Sequence, residues 1–243
     1  MFWSEGPLTS IAELCIRSFT RFSDVAVYVY TYDKESSTKI RGCLWMDADE
    51  IMPYEIANSY ARNFGHAAAA DLFRYALLFK KGGWYFDTDC LLIRRLNPLF
   101  DREYVFGLQD AQVANDAVLK YPPNDPSLNA MYQECIRFGA KKYRWGVVGR
   151  FARPRGYFLR YHWGMFGPEM LTKHLKESGM IDKAVPREFF YPIHFTDTEA
   201  FRRPFTPSEN TFIVHLWNEM LRRNGWDASD LDPSFLTFGR GDT

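Results

Sequence analysis

Asp87-Thr88-Asp89 is where the chemistry of this sequence is densest. It follows the apolar run Trp84-Tyr85-Phe86, which reads as a short strand. In extended backbone, residues i and i+2 point to the same side, so two carboxylates converge on one point. A hard divalent cation relieves their repulsion and keeps positions open for water and phosphate oxygens. A bare D-x-D is common by chance; its position gives this one weight. Upstream, Ala67 to Phe79 is apolar almost all round, the mark of a buried helix. That helix carries Asp71 and Arg74, three residues apart and so on one face. Burying two charges is costly unless they pair or meet a polar ligand. Two readings stand: a buried bridge, or a pair lining a polar site that binds sugar hydroxyls.

Other residues carry weaker signals. Asp47-Ala48-Asp49 is a second D-x-D without a preceding Gly-Gly, and reads as a turn or helix cap. His215 lies inside the apolar run Phe212 to Trp217, where a satisfied core histidine is one reading. His66 opens the buried helix as a structural donor or cap. Asn115 and Asp116 interrupt an apolar strand, which marks an edge, a bulge, or a polar group beside a reacting carbon. Cys90 reads as a small packed hydrophobe.

The elements that position these residues follow from periodicity. Pro7 suits a first helical turn, and Leu8, Ile11, Leu14, Cys15 and Phe19 recur at helical spacing. Strands are expected at Val25 to Tyr30, Cys43 to Met46, Trp84 to Phe86, Tyr104 to Leu108, Val113 to Leu119 and Phe212 to Trp217. Helices are expected near Tyr54 to Asn63, over 66–81 with Gly82-Gly83 as the stop, after a turn marked by Pro122-Pro123 and Pro126 through about Phe138, over Pro168 to Ser178, and briefly before Gly225. Residues 139–163, rich in Gly and Arg, read as irregular. Alternating strands and helices define an α/β fold.

The 243 residues, 47% hydrophobic, suffice for one large core, and a single domain over 1–243 is expected. The 30 basic and 30 acidic side chains cancel, so no global field favours nucleic acid. Lys141, Lys142, Arg144, Arg150, Arg153, Arg155 and Arg160 cluster in one stretch. They read as a solvated face, an anionic-acceptor contact, or a peripheral membrane contact. The cysteines at 15, 43, 90 and 135 form no C-x-x-C pair, so free thiols are expected and no structural zinc. With no signal peptide or apolar span, a cytoplasmic protein is expected, peripheral at the inner membrane face if the Arg-rich stretch meets lipid.

The run Ala70-Asp71 through Asp89 closely resembles the sugar-binding region of the DXD-containing glycosyltransferases: A-D-x-x-R-Y-x-x-L, a Gly-Gly turn, an aromatic, then D-x-D. Phe2-Trp3 with Gly6-Pro7 resembles that family's first strand, Gly167-Pro168 with Leu171-Thr172 a recurring helix start, and His215-Leu216-Trp217-Asn218 its late H-x-W-N element. The resemblance implies an A-type glycosyltransferase fold: a Rossmann-like mixed sheet flanked by helices, with the DXD metal site at a strand end. It implies Mn²⁺ or Mg²⁺ held by Asp87, Asp89 and His215, and a nucleotide met by Phe2, Trp3, Tyr85, Asp87, Trp217 and Asn218. Asp71, Arg74 and Asn115 would hold the donor sugar, and Asp87, Asp89 and Asp116 would serve catalysis. The implied reaction is retaining transfer of a hexose or N-acetylhexosamine from a nucleotide-diphosphate sugar, first a UDP-sugar, to a glycan or lipid-linked glycan hydroxyl, as in polysaccharide biosynthesis. Two rivals are a non-catalytic sugar-nucleotide-binding protein on the same fold and a haloacid-dehalogenase-type phosphotransferase, whose first Asp is a nucleophile.

Overall fold

The computed structural model describes residues 1–33, 40–148 (backbone alone from 141) and 161–238. The Arg-rich side chains of 141–160 lie outside the described residues. No described helix is long and apolar enough to cross a membrane.

Thr9 accepts a hydrogen bond from Ala12 N–H at 3.2 Å and opens helix α1, Ser10–Phe22. A hydroxyl cap thus sets the start, later than Pro7 implied. Ile11, Leu14, Cys15 and Phe19 form the buried face of α1, which packs against strand β4, Cys90–Leu92. The buried Ser18 hydroxyl accepts from Leu92 N–H at 2.9 Å and ties helix to strand.

Strands β1, Val27–Thr31, and β2, Cys43–Asp47, pair in parallel. Phe2 adds a parallel bridge to Tyr30 on the other side of β1. Asp47 and Asp49 accept from the backbone N–H groups of Asp49 and Tyr54, so the second acidic triplet is a turn and cap as expected.

Helix α2, Tyr54–Phe64, leads through Gly65 into α3, His66–Lys81, whose residues 71–78 are all buried. Gly82 ends α3 with φ +64°, and a Cβ there would stand 2.6 Å from Pro123 Cδ and N, so glycine alone fits. The chain reverses into β3, Gly83–Phe86, and delivers Asp87 to the strand end.

β3 and β5, Val105–Asp110, flank β6, Val113–Tyr121, in an antiparallel ladder. β6 is therefore central, which corrects the edge-strand reading of Asn115 and Asp116. The bulge reading holds: pairing jumps from Phe106–Leu119 to Gly107–Asn115, which takes Asp116 out of the β5 ladder. β4 pairs antiparallel with β7, Ile213–His215, with Cys90 opposite His215.

Helix α4 spans Pro126–Val148, about ten residues beyond the expected end near Phe138; backbone hydrogen bonding carries it through residues whose composition read as loop. Helices α5, Pro168–Glu177, α6, Asn218–Arg223, and α7, Pro233–Leu236, complete the chain. One apolar cluster gathers α1, β4, β7 and the C-terminal segments; the other gathers α3, α4 and α5. The fold is α/β, with mixed strand pairing and helices on both sides.

Candidate active site

A cavity of about 460 Å³ opens where β3, β6 and β7 end. From α3 it is lined by His66, Ala67, Ala70, Asp71 and Arg74, the stripe that steps of three and four residues make on a helix.

Arg74 is 3% exposed and organises the floor. Its Nη2 donates to both oxygens of Asp87, at 2.6 and 2.8 Å. Its Nη1 faces Asp71 Oδ1 at 3.3 Å and forms a closer ion pair with Asp116 Oδ2. Neither simple reading of the Asp71–Arg74 pair is complete, because one guanidinium serves three carboxylates. Burial opposes the charge on Arg74, but Asp116 and Asp87 outweigh it and keep it protonated. Burial and the neighbouring Asp116 push the Asp71 carboxyl well above the usual range. Burial raises Asp87 to about 6, against the pull of Arg74.

Asp89 is held differently. Its Oδ1 lies 3.1 Å from His215 Nε2, and its Oδ2 accepts from Asn218 N–H at 2.9 Å. Burial opposes its charge, but His215 and the backbone N–H bonds hold its pKa below the usual carboxylate value. That N–H is the first of α6, reached through Trp217 in the left-handed region, φ +52°. A non-glycine residue there is strained; the turn aims a helix N-terminus at the carboxylate. Trp217 Nε1 donates to Ile193 O at 2.9 Å, and its ring lies 4.1 Å from the His215 ring.

These donors fit a divalent cation. A separation of 3.1 Å between His215 Nε2 and Asp89 Oδ1 matches the edge of an octahedron, whose bonds of about 2.1 Å make an edge of ~3.0 Å. Asp89, Cys90 and His215 bring ligand atoms within 4.8 Å of one another. The Cys90 thiol is buried, and burial raises its pKa well above the ordinary value. Asp87 stands outside that cluster, turned to Arg74. Six carboxylates line the cavity (Glu5, Asp71, Asp87, Asp89, Asp116 and Glu219), and Arg74 is its one Lys or Arg among the described residues. A diphosphate entering such a field needs added positive charge.

The structure brings most of the expected residues to this cavity. Trp3, Asn115, Trp217 and Asn218 line it. Phe2 also reaches it, with its ring stacked on Phe73 at 4.0 Å. The Asn115 side chain donates to Gln109 Oε1 at 2.7 Å and accepts from Ala117 N–H at 2.8 Å, which fixes its orientation. Tyr85 is a correction: it is fully buried and absent from the lining, with Arg74 over its ring at 5.0 Å. It shares the side of Asp87 but lies one pleat deeper in β3. His66 is a second correction, since it is exposed and lines the cavity, and no side-chain cap bond opens α3. Its place four residues before Ala70 and eight before Arg74 was the available signal. Glu5, Trp163 and Glu219 also line the site, and no motif announced them.

A cavity over strand ends, an acidic pair directly after strand β3 and a late histidine closing on it suit a glycosyltransferase fold. A solved structure, PaToxG Glycosyltransferase, superposes with a TM-score of 0.52 at 13% identity, over 73% of this chain and 67% of that one. Residues 19–106 match the family described as the glycosyltransferase sugar-binding region containing DXD motif. It is similar to the lactosylceramide 4-alpha-galactosyltransferases of Rattus norvegicus (28% identity, 62% of this chain and 40% of that one) and Homo sapiens (26%, 66% and 44%). It is also similar to the human alpha-1,4-N-acetylglucosaminyltransferase (24%, 68% and 46%). The matches span less than half the length of these three relatives.

Proposed function

We propose that this protein transfers a hexose or N-acetylhexosamine from a nucleotide-diphosphate sugar, first a UDP-sugar, to a hydroxyl of a glycan or lipid-linked glycan. The transfer is metal-dependent and retains configuration. The observation that carries this reading is Asp89 joined to His215 and to the α6 N-terminus, in a cavity with six carboxylates and one arginine among the described residues.

Asp89 and His215 would hold Mn²⁺ or Mg²⁺, and an imidazole ligand would favour Mn²⁺. When bound, the cation neutralises charge on the leaving diphosphate as a Lewis acid. Trp3, with the edge of Phe2, flanks the base. Asp87, fixed by Arg74, faces the ribose and the metal. Asp71 and Asn115 receive the sugar hydroxyls. Arg74 positions these acids rather than gripping the sugar, because its Nη2 holds Asp87 and its Nη1 pairs with Asp71 and Asp116. Asp116, which the bulge places beside Arg74, stands at the reacting carbon. Trp217 and Asn218 close over the donor and exclude water.

The dehalogenase-type reading needs a free nucleophilic Asp87, whereas Arg74 holds both its oxygens. A panel of UDP- and GDP-sugars, assayed with Mn²⁺ and with EDTA, tests the proposal. Metal-dependent consumption of a sugar nucleotide supports it. Tight binding without turnover favours the non-catalytic binder, and no binding at all rejects both.

A further inference from the structure

Trp163 is 46% exposed. The other exposed large hydrophobics among the described residues, Val25, Tyr28 and Leu44, lie away from the active-site cavity, whereas Trp163 lines it. An indole left in water at the mouth of a polar site lacks the burial that usually justifies it. The residues flanking it are tied together. Met165 N–H donates to His162 O at 3.2 Å, Glu169 N–H donates to Gly164 O at 3.1 Å, and His162 Nε2 contacts both Glu169 oxygens at 2.8 Å. The same turn ends at Gly167, where a Cβ would stand 2.9 Å from Asp116 Oδ2. The ring is therefore carried by the segment that backs Asp116, at the sugar end of the cavity.

An exposed indole beside hydroxyl-binding acids suits a pyranose, which presents an apolar C–H face and a polar rim. Among the described residues, the excess of carboxylates lining the cavity disfavours an anionic acceptor. Resting on the glycosyl-transfer reading above, we propose that Trp163 is the platform on which an uncharged sugar ring of the acceptor stacks.

The test uses the full chain with Mn²⁺, the UDP-sugar the panel selects, and neutral methyl glycosides beside methyl glucuronide as acceptors. Trp163→Ala raises the KM for the neutral glycoside at least tenfold while the donor KM moves less than twofold. Trp163→Phe keeps most of the acceptor affinity. Methyl glucuronide is the poorer acceptor. Acceptor KM unchanged in Trp163→Ala overturns the proposal, as does a donor KM that rises in parallel or a preference for the glucuronide. A wild-type protein that consumes no sugar nucleotide fails the underlying reading, and this one with it.

Discussion

Arg74 Nη2 binds both carboxylate oxygens of Asp87, at 2.6 and 2.8 Å, and so joins the buried helix α3 to the first acid of the D-x-D motif. The same guanidinium faces Asp71 and Asp116.

Removing that cation strands three acids. Arg74→Met should therefore cost about 3–5 kcal/mol, the usual penalty for breaking a buried pair on one side. Adding Asp71→Asn and Asp116→Asn should restore part of the loss, because Asp87 alone of the three acids then keeps its charge. Urea unfolding of the three variants decides it; a loss below about 1 kcal/mol for Arg74→Met would show that the network is not a structural unit.

The metal reading concerns Asp89 and His215. Asp89→Asn and His215→Ala should each lower Mn²⁺-dependent turnover at least about 100-fold, since Lewis-acid stabilisation is worth several kcal/mol. Calorimetric titration of Mn²⁺ in the presence of UDP should show the matching loss of affinity. Wild-type turnover that persists in excess EDTA would reject metal dependence.

The turn that delivers the motif gives a contrast between two adjacent glycines. Both have positive φ, +64° at Gly82 and +84° at Gly83, but only at Gly82 would a Cβ collide, 2.6 Å from Pro123. Gly83→Ala should cost about 1–2 kcal/mol from the left-handed backbone alone. Gly82→Ala should cost roughly 3 kcal/mol or more, with overpacking added. Equal losses in thermal unfolding would contradict this geometry.

Thiol labelling checks the core. Cys15, Cys90 and Cys135 are fully buried, and burial raises all three thiols. Cys43 is partly exposed. Iodoacetamide on the folded protein at pH 8 should modify Cys43 first by a wide margin, and peptide mass spectrometry reads the order. Early labelling of Cys90 would mean that the β4–β7 pairing opens readily.

Much of this molecule was legible before folding. An apolar helix, a double glycine and an apolar strand are local patterns, because periodicity and left-handed turns depend on neighbours in sequence. They place Asp71, Arg74, Asp87 and Asp89 within one stretch of chain. The bulge at Asn115 and Asp116 showed as polar residues inside an apolar strand, although the central position of β6 did not, since strand order depends on distant pairing.

Tertiary structure decided the rest. Which acids Arg74 meets depends on β6 lying beside β3, so a pair three residues apart became one cation among three carboxylates. Tyr85 fell beneath Arg74 because the depth of a residue in a sheet is set by what covers it. Trp163 acquired meaning when the turn before α5 brought it to the mouth of the cavity. Local sequence determined the elements and the motif they carry. Long-range pairing determined the charge balance and shape of the site, because Coulomb interactions and burial depend on distance in space.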